Sequence, residues 1–265
     1  MLFLIGNIIE ELIIMYMKKI MAMAAVALLG VGTVAAQNSF KGIVKYSIES
    51  TGEVTVDLPI EQRTAEIKVS GDDMFTQSPN FTEGADAVLV QGLKQTQCLD
   101  FSQILGYMRN EGFEFEYEGA GKLMVQGEVK ESDFDSVDIP DTEPGHFYYE
   151  YVSGETKTIA GFTAKKMVRH QYDEEGVDHQ MVFWYSDEIG PRINILFQGL
   201  KGMPLEITVA DDEGHAITYT AVEIVKGKVK DADFLLPAGY DRLSDEELKT
   251  LMGEMRDAYE LLSAE

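Results

Sequence analysis

The chain has 265 residues, of which 45% are hydrophobic and 26% charged, and its formal net charge is -24 at neutral pH. That is a globular composition, long enough for one large β domain or two ordinary ones. A polyanion of this size is repelled by phosphate backbones and by anionic membrane surfaces, which argues against nucleic acid as a partner.

Residues 17–36 read as a secretory signal peptide. Met17-Lys18-Lys19 is a basic start, Ile20 to Val34 an apolar stretch, and Val34-Ala35-Ala36 a small-residue exit. Cleavage after Ala36 would make Gln37 the first mature residue. The apolar stretch is about 15 residues, short for a bilayer span. Residues 1–16 read as spurious sequence upstream of the true start codon. The alternative is an uncleaved anchor, and Glu10 and Glu11 inside that apolar run oppose it. The expected location is periplasmic or secreted, with no transmembrane segment in the mature chain. No lipobox cysteine stands near the exit, so no lipid anchor is expected. Cys98 is the only cysteine, which rules out an intrachain disulfide, and it reads as a small buried hydrophobe.

From Phe40 to Glu49 the residues alternate as in a strand, and Glu66 to Ser70 is a second strand running into Gly71-Asp72-Asp73. Thr51 to Gln62 is a strand plus loop, and Ser78 to Ala85 a loop. Ala87–Val90 and Leu93–Asp100 form a hairpin turning at Gln91-Gly92. Gly112 to Glu118 alternates strictly, with Phe113, Phe115 and Tyr117 on one side and glutamates on the other. After a turn at Gly119–Gly121, Lys122–Gln126 is another strand. Asp133–Gly145 is acidic, carries Pro140 and Pro144, and reads as a linker or long loop between two halves of a sheet.

The second half reads as a meander. Phe162–Tyr172 and Val177–Tyr185 flank Asp173-Glu174-Glu175-Gly176. A turn closed by those four residues sets Ala164, Lys166, Val168, His170 and Tyr172 opposite Tyr185, Phe183, Met181, His179 and Val177. Arg192–Phe197, Leu205–Ala210 and Ala216–Lys226 follow as strands, the last two joined by a turn at Asp211–Gly214. Residues 242–265 change period: Ser244 and Glu247 make a capping box, and Leu248, Leu251, Met252, Met255, Tyr259 and Leu262 form one apolar stripe. The fold class is therefore mainly β (α+β): residues 37–241 as a curved antiparallel sheet or half-barrel, with a C-terminal amphipathic helix packed on it. Val125–Phe134 resembles Val225–Phe234, with six of ten positions identical; duplication and chance both account for that.

No catalytic motif is present: no G-x-S-x-G, H-E-x-x-H, phosphate loop or C-x-x-C, and no cofactor signature. His170 and His179, opposed in the hairpin, are the lesser candidates for a metal site, which would need further ligands; an ordinary cross-strand pair is the preferred reading. Asp133-Phe134-Asp135 departs from the EF-hand pattern at Val137 and Asp138. The aromatic stripes are the better lead. Phe162, Lys166, Val168, Met181, Phe183 and Tyr185, extended by Phe113, Phe115 and Tyr117, would line a concave face. Such a face either binds a hydrophobic molecule or is filled as plain core.

At Lys157–Phe162, Phe183–Ile189, Gly199–Glu206 and Asp233–Tyr240 the chain resembles the exported Bacteroidetes-type domains of unknown function, including the GLPGLI-like family. Gly42–Ile48 and Val88–Thr96 fit the same pattern. That family is similar in fold to the outer-membrane lipoprotein carriers LolA and LolB. The resemblance implies an exported envelope protein with a curved antiparallel sheet, and it carries over no functional residue. The function expected is non-catalytic: binding of a lipid or other hydrophobic ligand on a concave β face. The alternative is an envelope protein–protein interaction module with a filled core.

Overall fold

The computed structural model describes residues 40–51, 63–82, 85–102, 121–210, 216–244, 246–251 and 253. The described strands are β1 (Lys41–Thr51), β2 (Thr64–Ser70), β3 (Asp73–Thr76), β4 (Ala87–Gln91), β5 (Lys94–Asp100), β6 (Lys122–Glu128), β7 (Phe147–Ile159), β8 (Phe162–Tyr172), β9 (Asp178–Ser186), β10 (Met203–Ala210), β11 (Ala216–Lys226) and β12 (Asp241–Arg242). They form one twelve-stranded sheet in the order β12-β6-β5-β4-β3-β2-β1-β11-β10-β9-β8-β7. All neighbours are antiparallel except β12, which runs parallel to β6. This is the mainly β, open curved sheet expected from the alternation of the sequence.

The chain meanders away from β1 as far as β6, crosses to the opposite edge at β7, and meanders back until β11 closes on β1. In a flat sheet, β6 and β7 would lie ten spacings apart, roughly 50 Å. Here Gln97 of β5, Gly127 of β6 and Phe147 of β7 border the same cavity, so the sheet is strongly curled. The inner face carries the main core. Val44, Tyr46 and Ile48 of β1 point there with Ala65, Ile67 and Val69 of β2, each strand placing every second residue inward. The buried Tyr46 hydroxyl donates to the Pro204 carbonyl at 2.7 Å.

The outer face has a smaller core of Phe75, Ala87, Leu89 and Cys98, covered by Phe234, Leu236 and Tyr240. Cys98 is fully buried, as expected of a small hydrophobe, and burial pushes its thiol pKa up. Residues 231–240 thus lie on the outside before β12 joins the β6 edge. The chain then returns inward: Leu243 packs against the inner core, and Leu248, in the helical stretch 246–251, is buried within it. Ser244 and Glu247 form the anticipated capping box: the Glu247 amide donates to Ser244 Oγ at 3.3 Å and the Ser244 amide to Glu247 Oε2 at 2.8 Å. Met252, Met255, Tyr259 and Leu262 lie outside the described residues. So do the 17–36 signal pattern, the Phe113–Tyr117 stripe and the Asp211–Gly214 turn. Among the described residues no helix is long and apolar enough to cross a membrane.

Two sequence expectations are corrected. The β8–β9 register is displaced by one residue: His170 faces Gln180, and Gln171 faces His179. The cause is the turn. Gly176 adopts φ +81° and its amide donates to the Asp173 carbonyl, while the Asp173 amide reaches past it to the Val177 carbonyl at 3.1 Å. Asp173 therefore opposes two residues, a bulge that a four-residue count misses. Residues 192–197 are not a strand. Ile195–Phe197 is a single 3-10 turn, held by the Asn194 side-chain amide donating to the Gly202 carbonyl at 2.9 Å.

Candidate binding cavity

The aromatic stripe proposed as a ligand wall is part of the packed interior. Phe162, Phe183 and Tyr185 are buried in the inner core, and Met181 packs against it half-buried. Tyr149 meets Phe183 edge-on at 6.3 Å, and Tyr151 meets Tyr185 at 5.7 Å. The one-residue register shift puts Met167, not Lys166, opposite Phe183. Lys166 and Val168 therefore face the other way, where Lys166 Nζ pairs with Glu155 at 3.1 Å. Lys166 is thus no counter-charge for anything inside the sheet.

The same shift separates the two histidines, because consecutive positions along a strand point to opposite faces. His170 sits between Asp178 at 2.8 Å and Glu150 at 3.2 Å, stacked on Tyr148. His179 bonds Asp173 at 2.8 Å. The described residues with metal-ligand spacing are others: Asp141, Glu143 and His146, near the surface, with ligand atoms within 4.8 Å of one another. The Glu143 amide and then His146 hold the Asp141 carboxyl below the usual aspartate range, and Asp141 raises His146. This is the behaviour of a solvated ion pair, and sequence spacing did not single the trio out.

The open space lies elsewhere, in a cavity of about 590 Å³ on the inner face. One wall is β5 and β6 with their flanking residues, presenting Gln95, Gln97 and Leu99 together with Leu93 just before β5 and Val129 just after β6. Because Thr96 and Cys98 point to the other side, the two glutamines fall together on the cavity side at two-residue spacing. The opposite wall is the crossing segment between β6 and β7, through Phe134, Val137, Ile139, Pro140 and Phe147. Phe81, on the helical turn Pro79–Thr82, closes one side. Its ring contacts Tyr46, Phe197 and Tyr219 at 5.0 to 5.7 Å, joining both halves of the sheet. Ile195, Leu196 and Gln198 complete the lining.

Phe134 is set in place by Gly199. This glycine has φ +91°, and a Cβ there would overlap the Phe134 ring. The lining is mainly apolar, but it carries one buried polar group without a protein partner. Thr82 is 1% exposed, and its hydroxyl has no hydrogen-bond partner. The charged lining side chains are Glu128, Asp133, Asp141 and His146; no lysine or arginine is among the described lining residues.

Solved structures match the chain at low identity. A LolA superfamily protein, NE2245 from Nitrosomonas europaea, matches at 10% identity over 83% of this chain and 97% of that chain, with a TM-score of 0.29. MucB, in its complex with MucA(peri), matches at 10% identity over 84% of this chain and 59% of that chain, with a TM-score of 0.30. No residue role transfers at such identities. No protein-family model and no curated protein matches the chain.

Proposed function

We propose that this is an exported, non-catalytic binding protein of the cell envelope that holds a hydrophobic small molecule or the acyl chain of a lipid inside its curled sheet. The observation that carries the reading is the cavity of about 590 Å³, mainly apolar, with a few polar side chains and one buried hydroxyl, that of Thr82, left without a partner. Sites for small amphiphilic molecules have this size and this mixture. Export is supported by the signal pattern at residues 17–36. The ligand site moves from the β8–β9 stripe to the space between β5–β6 and the crossing segment. The sole thiol plays no part, being buried on the outer face.

The test is native mass spectrometry and organic extraction of the mature protein from its own envelope fraction, together with titration by Nile red. A co-purifying hydrophobic species, and saturable dye binding abolished by Gln97→Trp, are expected. A second reading, a protein-interaction module, is favoured by the complete packing of Phe162, Phe183 and Tyr185. It becomes the better one if the folded protein binds no hydrophobic probe. N-terminal sequencing checks the export step, with Gln37 expected as the first residue.

A further inference from the structure

We infer that the cavity selects amphiphiles with a cationic head over those with a carboxylate, an inference that rests on the cavity being a binding site. The described lining has three carboxylates, Glu128, Asp133 and Asp141, and no lysine or arginine. Lys94 reaches Glu128 at 3.6 Å, and His146 is tied to Asp141 at 2.8 Å. Asp133 has no cation against it: its Oδ2 accepts the Lys130 backbone amide at 2.8 Å. Lys166, the cation that sequence reasoning offered as counter-charge for a fatty acid, is on the far face and bound to Glu155. Two of the nearby cations are likewise engaged: Arg192 pairs with Glu131, and Lys201 with Asp138. A bound carboxylate would meet a lining whose cationic neighbours, His146 and Lys94, are already paired with Asp141 and Glu128, whereas an ammonium group would meet three carboxylates beside an apolar body. The Thr82 hydroxyl, buried in the lining without a partner, adds a hydrogen-bonding group that is neutral toward the sign of the head.

Three probes sharing a ten-carbon chain separate the possibilities: decyltrimethylammonium, decyl maltoside and decanoate. Each is titrated into the full mature protein below its micelle concentration, in competition with Nile red. Exposed charge pairs change affinity by about two- to fivefold each, so the cationic probe is expected to bind about tenfold tighter than decanoate. The gap should narrow as salt rises. Glu128→Gln combined with Asp141→Asn should weaken the cationic probe several-fold and leave decyl maltoside unchanged. Glu223→Gln, on β11 and paired with Lys45, controls for the overall negative charge and should change nothing. Decanoate binding as tightly as the cation overturns the inference and leaves the cavity reading standing. So does an equal loss from Glu223→Gln, which would assign the preference to net charge. Binding of none of the three probes overturns the cavity reading itself.

Discussion

Gly199→Ala should distort the cavity wall and destabilise the fold through one identifiable contact. Gly199 has φ +91°, and the site of its missing Cβ is occupied by the Phe134 ring. An L-residue held at positive φ costs roughly 1–2 kcal/mol. Phe134 must also move, and it is half-buried against the inner core. Losing about half of a phenylalanine's burial costs roughly 1 kcal/mol more. The expected total is about 2–3 kcal/mol, read from urea denaturation of the mature protein with the slope unchanged. Phe134→Ala alone should cost about 1–2 kcal/mol. The double variant should cost less than the sum, because removing the ring removes the overlap while the backbone penalty stays. Nile red affinity should fall in both single variants, since Phe134 lines the cavity. A loss below about 0.5 kcal/mol for Gly199→Ala, or strict additivity in the cycle, would refute the contact.

Three further outcomes follow from the geometry. Paired cysteines at 170 and 180 should cross-link under mild oxidation more readily than a pair at 170 and 179, because His170 stands opposite Gln180; the reverse preference would restore the four-residue turn. Leu251→Asp should lower stability by about 2–5 kcal/mol, since Leu251 is only 5% exposed and a charge there would lack a partner; an unchanged melting temperature would show the segment undocked. Burial pushes the Asp178 carboxyl up, but hydrogen bonds from Gln180 and His170 outweigh it and hold the pKa below its ordinary value. A depressed aspartate adds stability that is present above the unfolded pKa near about 3.9 and is lost as pH falls through the folded value. Asp178→Asn should therefore flatten the acid limb of the stability curve below about pH 4, and an unaltered limb would contradict the assignment.

Much of the sheet was legible because its inner strands alternate. In β1 and β2 the inward set is mostly apolar and the outward set, Ile43 apart, polar or charged, so period two is unmistakable. Cys98 was legible for the same reason. The edge strand β7 was not: Ser153-Gly154-Glu155 interrupts the alternation at a register shift between Tyr151 and Thr156. The β8–β9 register turned on whether Gly176 closes the turn or bulges beyond it, a backbone choice that composition leaves open. That single residue moved Lys166, Val168 and both histidines away from the roles the pattern gave them. The cavity was illegible for a different reason. Its walls are brought together by the curl of the whole sheet, so Gln97, Phe134 and Gln198 meet from distant segments and share no local signature.

The ten-residue repeat, Val125–Phe134 and Val225–Phe234, is a shared structural device. Both copies leave a strand after one further ladder bond: the Val129 amide to the Leu93 carbonyl, and the Gly227 amide to the Lys41 carbonyl. Both then form a 3-10 turn in which the Lys130 or Lys230 amide donates to Asp133 or Asp233 at 2.8 or 2.7 Å. Both end by setting a phenylalanine on a face of the sheet. The acid at the third position satisfies the backbone amide that the strand leaves open, and the tight turn redirects the chain from along the strand to across it. The outcomes differ because the sheet is curled. Phe234 lies on the outer side, against the cluster of Phe75, Leu89 and Cys98, and seals it. Phe134 lands on the inner side, where it meets Gly199 across the fold and cannot fill the concavity between β5–β6 and the crossing segment. One local device thus closes the convex face and roofs a space on the concave one, and that space is the cavity assigned to the ligand.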